Sequence, residues 1–194
     1  MQDNQKKKQK KIFFGFNIHP SFVSAFSNDL TKIKDTLKDK PMRWVKPKNY
    51  HITLFYNGYT EPQTVEMYQE KLQKLVHPFC EISPVQYTWM GKFSPRALTL
   101  EFSNAGLHSL VQAFQQTFMQ ESFGLDHVHY RPHITFARHR GKVREDEHLV
   151  LSKLVSTIEV PKVLLRVEDV VLFESVMVDG QVNYQVLAKK NLHA

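Results

Sequence analysis

Two short stretches repeat one pattern, and that pattern constrains the fold more than any other feature of the chain. His51-Ile52-Thr53-Leu54-Phe55 and His133-Ile134-Thr135-Phe136-Ala137 both read His, apolar, Thr, apolar, apolar. In an extended strand successive side chains point to opposite faces. Each stretch, read as a strand, therefore projects its His and Thr together and anchors Ile52 and Leu54, or Ile134 and Phe136, in a core. One copy would be a weak signal; two copies with matching apolar flanks set a rigid imidazole beside a hydroxyl twice over.

The remaining elements fall in two roughly similar series around these strands. Lys11 to Ile18 reads as a first strand, and His19-Pro20-Ser21 opens a helix carrying Phe22, Phe26, Leu30, Ile33 and Leu37 on one face until Pro41 ends it. Arg43-Trp44-Val45 is a short strand and Pro47-Lys48-Asn49 a turn. The first motif strand runs from Tyr50 to Tyr56 and closes on Asn57-Gly58. A helix follows over Pro62 to Leu75. Phe79 to Met90 is extended and broken near Pro84, Gly91 to Pro95 turns, and Ala97 to Phe102 returns as a strand. Asn104 caps a third helix with Leu107, Leu110, Val111, Phe114 and Phe118 on its stripe. Beyond the loop Ser122 to Asp126 and the second motif come a helix, Glu145 to Val155, and three strand-like runs, Val160–Val167, Val170–Met177 and Val182–Leu187, the last two joined by Asp179-Gly180. The expected class is α+β: two pseudo-symmetric antiparallel sheets backed by helices around a central cleft. Residues 1–10 read as a disordered basic tail and 11–194 as one bilobal domain.

Composition enters where it bears on partners. The chain carries a formal charge of +7 over 194 residues, which favours an anionic partner such as nucleic acid or a nucleotide. Much of that excess is local, since Lys6, Lys7, Lys8, Lys10 and Lys11 crowd the start, and such a run is most simply a solvated tail. A single cysteine, Cys80, allows no internal disulfide and fits a reducing compartment, so a cytoplasmic location is expected; a monomer is expected as well. No apolar run approaches the ~18 residues of a membrane span.

Paired imidazoles suit one kind of chemistry well. In-line opening of a strained cyclic phosphodiester needs a base for the nucleophile on one side of phosphorus and an acid for the leaving oxygen on the other. His51 and His133 on opposite cleft walls meet that need, because a free imidazole titrates near pH 6.5. Thr53 and Thr135 can donate to the non-bridging oxygens. Arg131 and Arg138 flank the second motif and suit phosphate, although strict alternation turns Arg138 away from His133 unless the strand bends or ends near Ala137. Trp44, Phe14 and Tyr130 are the candidates to stack on a base. His127, His129, His133 and His139 cluster in sequence without metal-ligand spacing, so neither a metal nor a cofactor is expected.

At these residues the chain resembles the 2H phosphoesterase superfamily, and within it the RNA 2′,3′-cyclic phosphodiesterases also called 2′-5′ RNA ligases. Arg43-Trp44-Val45, Asn49 to Leu54, Arg131 to Arg138, Leu172-Phe173-Glu174-Ser175, Tyr184 and the opening Phe13 to Phe16 carry the likeness. The resemblance implies metal-independent hydrolysis of RNA 2′,3′-cyclic phosphate ends to 2′-phosphates. It implies His51 as the acid on the 3′ oxygen, His133 as the base on water, and Thr53, Thr135 and Arg138 as phosphate holders. The same groups would serve reversible 2′-5′ joining. Two rivals stand beside this: the same chemistry on 2′-5′ oligoadenylate or a cyclic ADP-ribose phosphate, and a module that grips RNA ends without turnover.

Overall fold

A computed structural model describes residues 9–91, 96–118, 130–141 and 143–193. The strands are β1 (Lys10–Asn17), β2 (Met42–Trp44), β3 (His51–Thr60), β4 (Cys80–Ile82), β5 (Pro84–Met90), β6 (Ala97–Phe102), β7 (His133–His139), β8 (Leu165–Val167), β9 (Asp169–Val178) and β10 (Gln181–Asn191). The helices are α1 (Pro20–Ala25), α2 (Ser27–Thr36), α3 (Pro62–Gln73), α4 (His108–Phe118) and α5 (Glu145–Ser156).

The α+β, two-sheet organisation expected from the sequence is present. One antiparallel half runs β10-β9-β1-β3 and the other holds β2, β7, β6 and β5. The two motif strands join the halves edge to edge through one residue pair, Ile52 opposite Ile134. The strands β4 and β8 form a separate two-stranded sheet.

Helices cover the face into which the apolar motif residues point. Phe14, Phe16, Ile52, Ile134 and Phe136 have no exposed surface there. Phe14 packs on Tyr68 of α3 and on Phe114 and Phe118 of α4. Phe26, between α1 and α2, packs on Phe136 and Tyr50. The helices that follow β1 thus back the second half, while α3 and α4 back the first. Each fully buried Phe contributes roughly 1.5–3 kcal/mol relative to an exposed one.

Several local expectations shift. The first helix breaks at Phe26, whose φ of −111° and ψ of 11° leave the helical region, giving α1 and α2. Asn57-Gly58 does not end the first motif strand. Asn57 is an extra residue in the β1–β3 ladder, Gly58 takes φ +79°, and β3 continues to Thr60. Asn104 does not cap α4 through its side chain; a 3₁₀ turn, Ala105–Leu107, intervenes. Only Leu165–Val167 of the run from Val160 is strand. Strand β1 starts at Lys10, a residue expected in the tail, where Lys10 Nζ meets Glu174 at 2.8 Å. Residues 1–8, the turn at 92–95 and the loop at 122–126 lie outside the described residues. Among the described residues no helix is long and apolar enough to cross a membrane.

Candidate active site

An antiparallel strand pair has a local two-fold axis between its opposed residues. Ile52 and Ile134 are the second residues of the two like motifs, so the axis through their pair relates one motif to the other. Continued one residue either way, the register sets His51 across from Thr135 and Thr53 across from His133. The alternation read from sequence holds, since the His and Thr positions are half-buried on the face opposite the helices and the Ile positions are fully buried.

Both imidazoles are oriented alike. His51 Nδ1 lies 2.8 Å from the Asn49 carbonyl, and His133 Nδ1 lies 2.8 Å from the Arg131 carbonyl, each two residues upstream. A carbonyl only accepts, so Nδ1 carries the hydrogen in each ring. Nε2 is then the free atom, a base when bare and an acid when protonated. The Thr53 and Thr135 hydroxyls have no hydrogen-bond partner among the described residues and are available to a ligand.

A β-bulge explains how Arg138 enters the site. Thr99 pairs with Thr135 and Leu98 with Ala137, leaving Phe136 as the extra residue of β7. Phe136 and Ala137 are both fully buried, and alternation restarts one residue late, so Arg138 emerges on the face of His133 and Thr135. Strand β3 has the matching bulge at Leu54, between the pairs Phe14–Phe55 and Gly15–Thr53. Here β1 approaches so closely that a Cβ on Gly15 would sit 2.5 Å from the Ile52 carbonyl oxygen.

The surroundings of the two rings differ. His51 lies among aromatics, with ring centroids 4.8 Å from Phe13 and 4.7 Å from Tyr184, the latter edge-on. Burial there pushes its pKa down to about 4, against the pull of the Asn49 hydrogen bond, with His133 and Arg138 adding charge repulsion. Burial also lowers His133; Arg138 and Arg131 push the same way, while its hydrogen bond to the Arg131 carbonyl and Glu101 oppose. Glu101 sits across from His133 on β6.

The other expected residues sort by these contacts. Arg131 is committed to a bidentate bridge with Glu101, Nε–Oε1 2.6 Å and Nη2–Oε2 2.8 Å, which removes it as a ready phosphate ligand and makes it a support for the Glu101–His133 side. Tyr130 donates its hydroxyl to the Thr53 carbonyl at 3.0 Å, tying the second half to the first motif rather than offering a face to a base. Trp44 is half-buried beside the core, with Lys34 Nζ 5.5 Å from its ring centroid, and it also lines the recess next to Arg138. Phe14 is a correction. It is a core residue with Ile12 and Phe16, and plain alternation along β1 puts its neighbour Phe13 on the site face, packed on Phe173 and Tyr184. Reading Phe13 from sequence would require knowing which face of β1 the site takes. Arg43 is a further site residue that the sequence does not single out for this role; it becomes one only because β2 sets it opposite Arg138.

This assignment separates two neighbouring phenylalanines. Phe14→Ala is expected to cost about 3–5 kcal/mol of stability, as for other large buried aromatics, measured by denaturant unfolding. Phe13→Ala is expected to cost less and to raise the His51 pKa by opening its surroundings to water, measured by NMR titration.

Among the described residues no three His, Cys, Asp or Glu side chains come together as a metal-ligand set. His127 and His129 lie outside them.

Comparison with known proteins gives a consistent family likeness. Residues 21–83 match the model of the LigT like Phosphoesterase family. Over 118 residues the chain is 30% identical to the RNA 2′,3′-cyclic phosphodiesterase of Bacillus subtilis (strain 168), a match covering 55% of this chain and 62% of that protein's length. In fold it is similar to a Thermus thermophilus protein, with TM-score 0.70, 17% identity, and 93% of this chain and 97% of that one covered. It is also similar to E. coli LigT crystallised with 3′-AMP, with TM-score 0.63, 16% identity, and 96% and 100% covered. The resemblance to 2H phosphoesterases read from the paired motifs is borne out.

Proposed function

We propose that this chain, LigT-like in sequence and in fold, hydrolyses RNA 2′,3′-cyclic phosphate ends to 2′-phosphates through His51 and His133, without a metal. The observation that carries the reading is the two-fold constellation itself: two imidazoles with Nδ1 fixed and Nε2 free, two threonine hydroxyls available beside them, and Arg138 brought among them by a bulge. The activity named for the Bacillus subtilis relative agrees with it.

In this reading the cyclic phosphate lies over the Ile52–Ile134 pair. The His133 Nε2 takes a proton from water as the water oxygen bonds to phosphorus. The P–O3′ bond breaks, and His51 gives its Nε2 proton to the departing 3′ oxygen. Thr53, Thr135 and Arg138 donate to the phosphate oxygens, where charge is held through the transition state. Water is added across one P–O bond, and exchange with solvent resets both rings. With an RNA 5′ hydroxyl attacking in place of water, the same groups would serve 2′-5′ joining. The acid and base assignment follows the family resemblance.

The free protein disfavours protonated imidazole at both positions, so the proton on His51 is held largely by the bound anion. An anionic ligand stabilises the charged ring and raises its pKa. The profile of kcat/KM, which reports the free enzyme, is therefore expected to be bell-shaped with its maximum below pH 6.5. The kcat profile, which reports the complex, is expected to peak at higher pH. A flat response from about pH 5 to 9 would contradict two titrating histidines. Incubating a short RNA bearing a 2′,3′-cyclic end with the protein in excess EDTA tests the activity; conversion to a phosphomonoester is expected, and an untouched substrate would contradict the reading.

A further inference from the structure

Arg138 faces two ways. Its charge acts on both histidines, and it lines a recess of about 370 Å³ shared with Arg43, Trp44, Lys46, Arg140 and Tyr184. The wall opposite is the tip of the β9–β10 hairpin, held in place where Asn49 Nδ2 donates to the Val182 carbonyl at 2.8 Å. Since Tyr184 also packs on His51, the recess opens directly from the site.

Its charge is unbalanced. Arg131, Arg144 and Arg166 each bridge a carboxylate, as do Lys10, Lys40 and Lys189. Among the described residues, no carboxylate lies within ion-pair distance of Arg43, Lys46, Arg138 or Arg140, and none lines the recess. Arg43 and Arg138 are directly opposed on β2 and β7. Like charges so placed repel, and a bound anion offsets that repulsion. Lys46 and Arg140 line the same recess and belong to neither His–Thr motif.

We propose that this recess is a second phosphate subsite, one that takes the phosphodiester on the 5′ side of the terminal cyclic nucleotide. The chain would then act on strand ends in preference to mononucleotides. Arg43 and Arg138 bridge the two phosphates, while Lys46 and Arg140 serve the second. The inference rests on the proposed reaction and adds to it a contact with the upstream phosphodiester.

The test compares a nucleoside 2′,3′-cyclic phosphate with a dinucleotide ending in one, as a ratio of kcat/KM values, for wild type and for Arg140→Ala and Lys46→Ala. Wild type is expected to favour the dinucleotide by roughly tenfold, on the scale of one charge-assisted hydrogen bond or two. Each variant is expected to shrink that ratio severalfold and to flatten the salt dependence of dinucleotide binding by about 0.7 in log–log slope per lost phosphate contact. A wild-type ratio near one, or a ratio unchanged in both variants, would overturn the subsite and leave the reaction standing. If wild type turns over neither substrate, the reaction fails instead, and the recess is judged by binding alone. Tighter binding of a dinucleotide 2′-phosphate than of a nucleoside 2′-phosphate, lost in Arg140→Ala, supports it; equal binding overturns it.

Discussion

Replacing either His51 or His133 with alanine lowers kcat on a cyclic phosphate by roughly 10²- to 10⁴-fold, the range for loss of a general acid or base. Each ring is the one acid–base group in its five-residue motif, and each is fixed through Nδ1 so that only Nε2 can serve. The fold does not depend on them, because Ile52, Leu54, Ile134 and Phe136 supply the anchoring on the other face. Glutamine variants keep more of the shape in the aromatic setting of His51 and are expected to lose activity to a similar degree with unchanged far-UV circular dichroism. The double variant is expected to fall short of the product of the two single losses, since groups that act as a unit are not additive. Near-normal turnover in either single variant would remove the acid–base mechanism.

Arg138→Ala is expected to cost roughly 10²- to 10³-fold in kcat, as for removing one positioned donor to transition-state charge. Arg138→Lys is expected to recover only part, because a point charge replaces a planar fork. The variant has a second signature that a merely structural role would not give. Arg138 presses both imidazoles toward their neutral form, so its removal raises the pKa of His51 and of His133 together. Two-dimensional NMR of the ring protons would follow both titrations. If neither pKa moves, Arg138 does not face the histidines as the bulge at Phe136 requires.

That bulge also marks where sequence stops being readable. The alternation of His51 and Thr53 over Ile52 and Leu54 depends only on strand geometry, and the structure keeps it. The Asp179-Gly180 hairpin is legible because its backbone demands, φ of 50° and 70°, are ones that residue pair meets locally. Bulges have no comparable signature. They are set by how one ladder meets its neighbours, so period-two counting puts Arg138 on the wrong face; Phe13, by contrast, alternates strictly with Ile12, Phe14 and Phe16, and what sequence leaves open there is which face of β1 the site takes. The role of Arg131 is hidden for a related reason, because Glu101 becomes its partner only when β6 and β7 pair. Arg43 likewise joins the site only through the β2–β7 register. What sequence conveys is the pair of motifs and their chemistry; what it withholds is every contact made across strands.

The most direct test of the central claim is to follow a short RNA ending in a 2′,3′-cyclic phosphate by phosphorus NMR, with the protein present in excess EDTA. The account predicts that the cyclic phosphate resonance is replaced by that of a 2′-phosphomonoester, which fixes the P–O3′ bond as the one broken and needs no divalent ion. A 3′-phosphate, or a cyclic signal that persists until metal is restored, would contradict it.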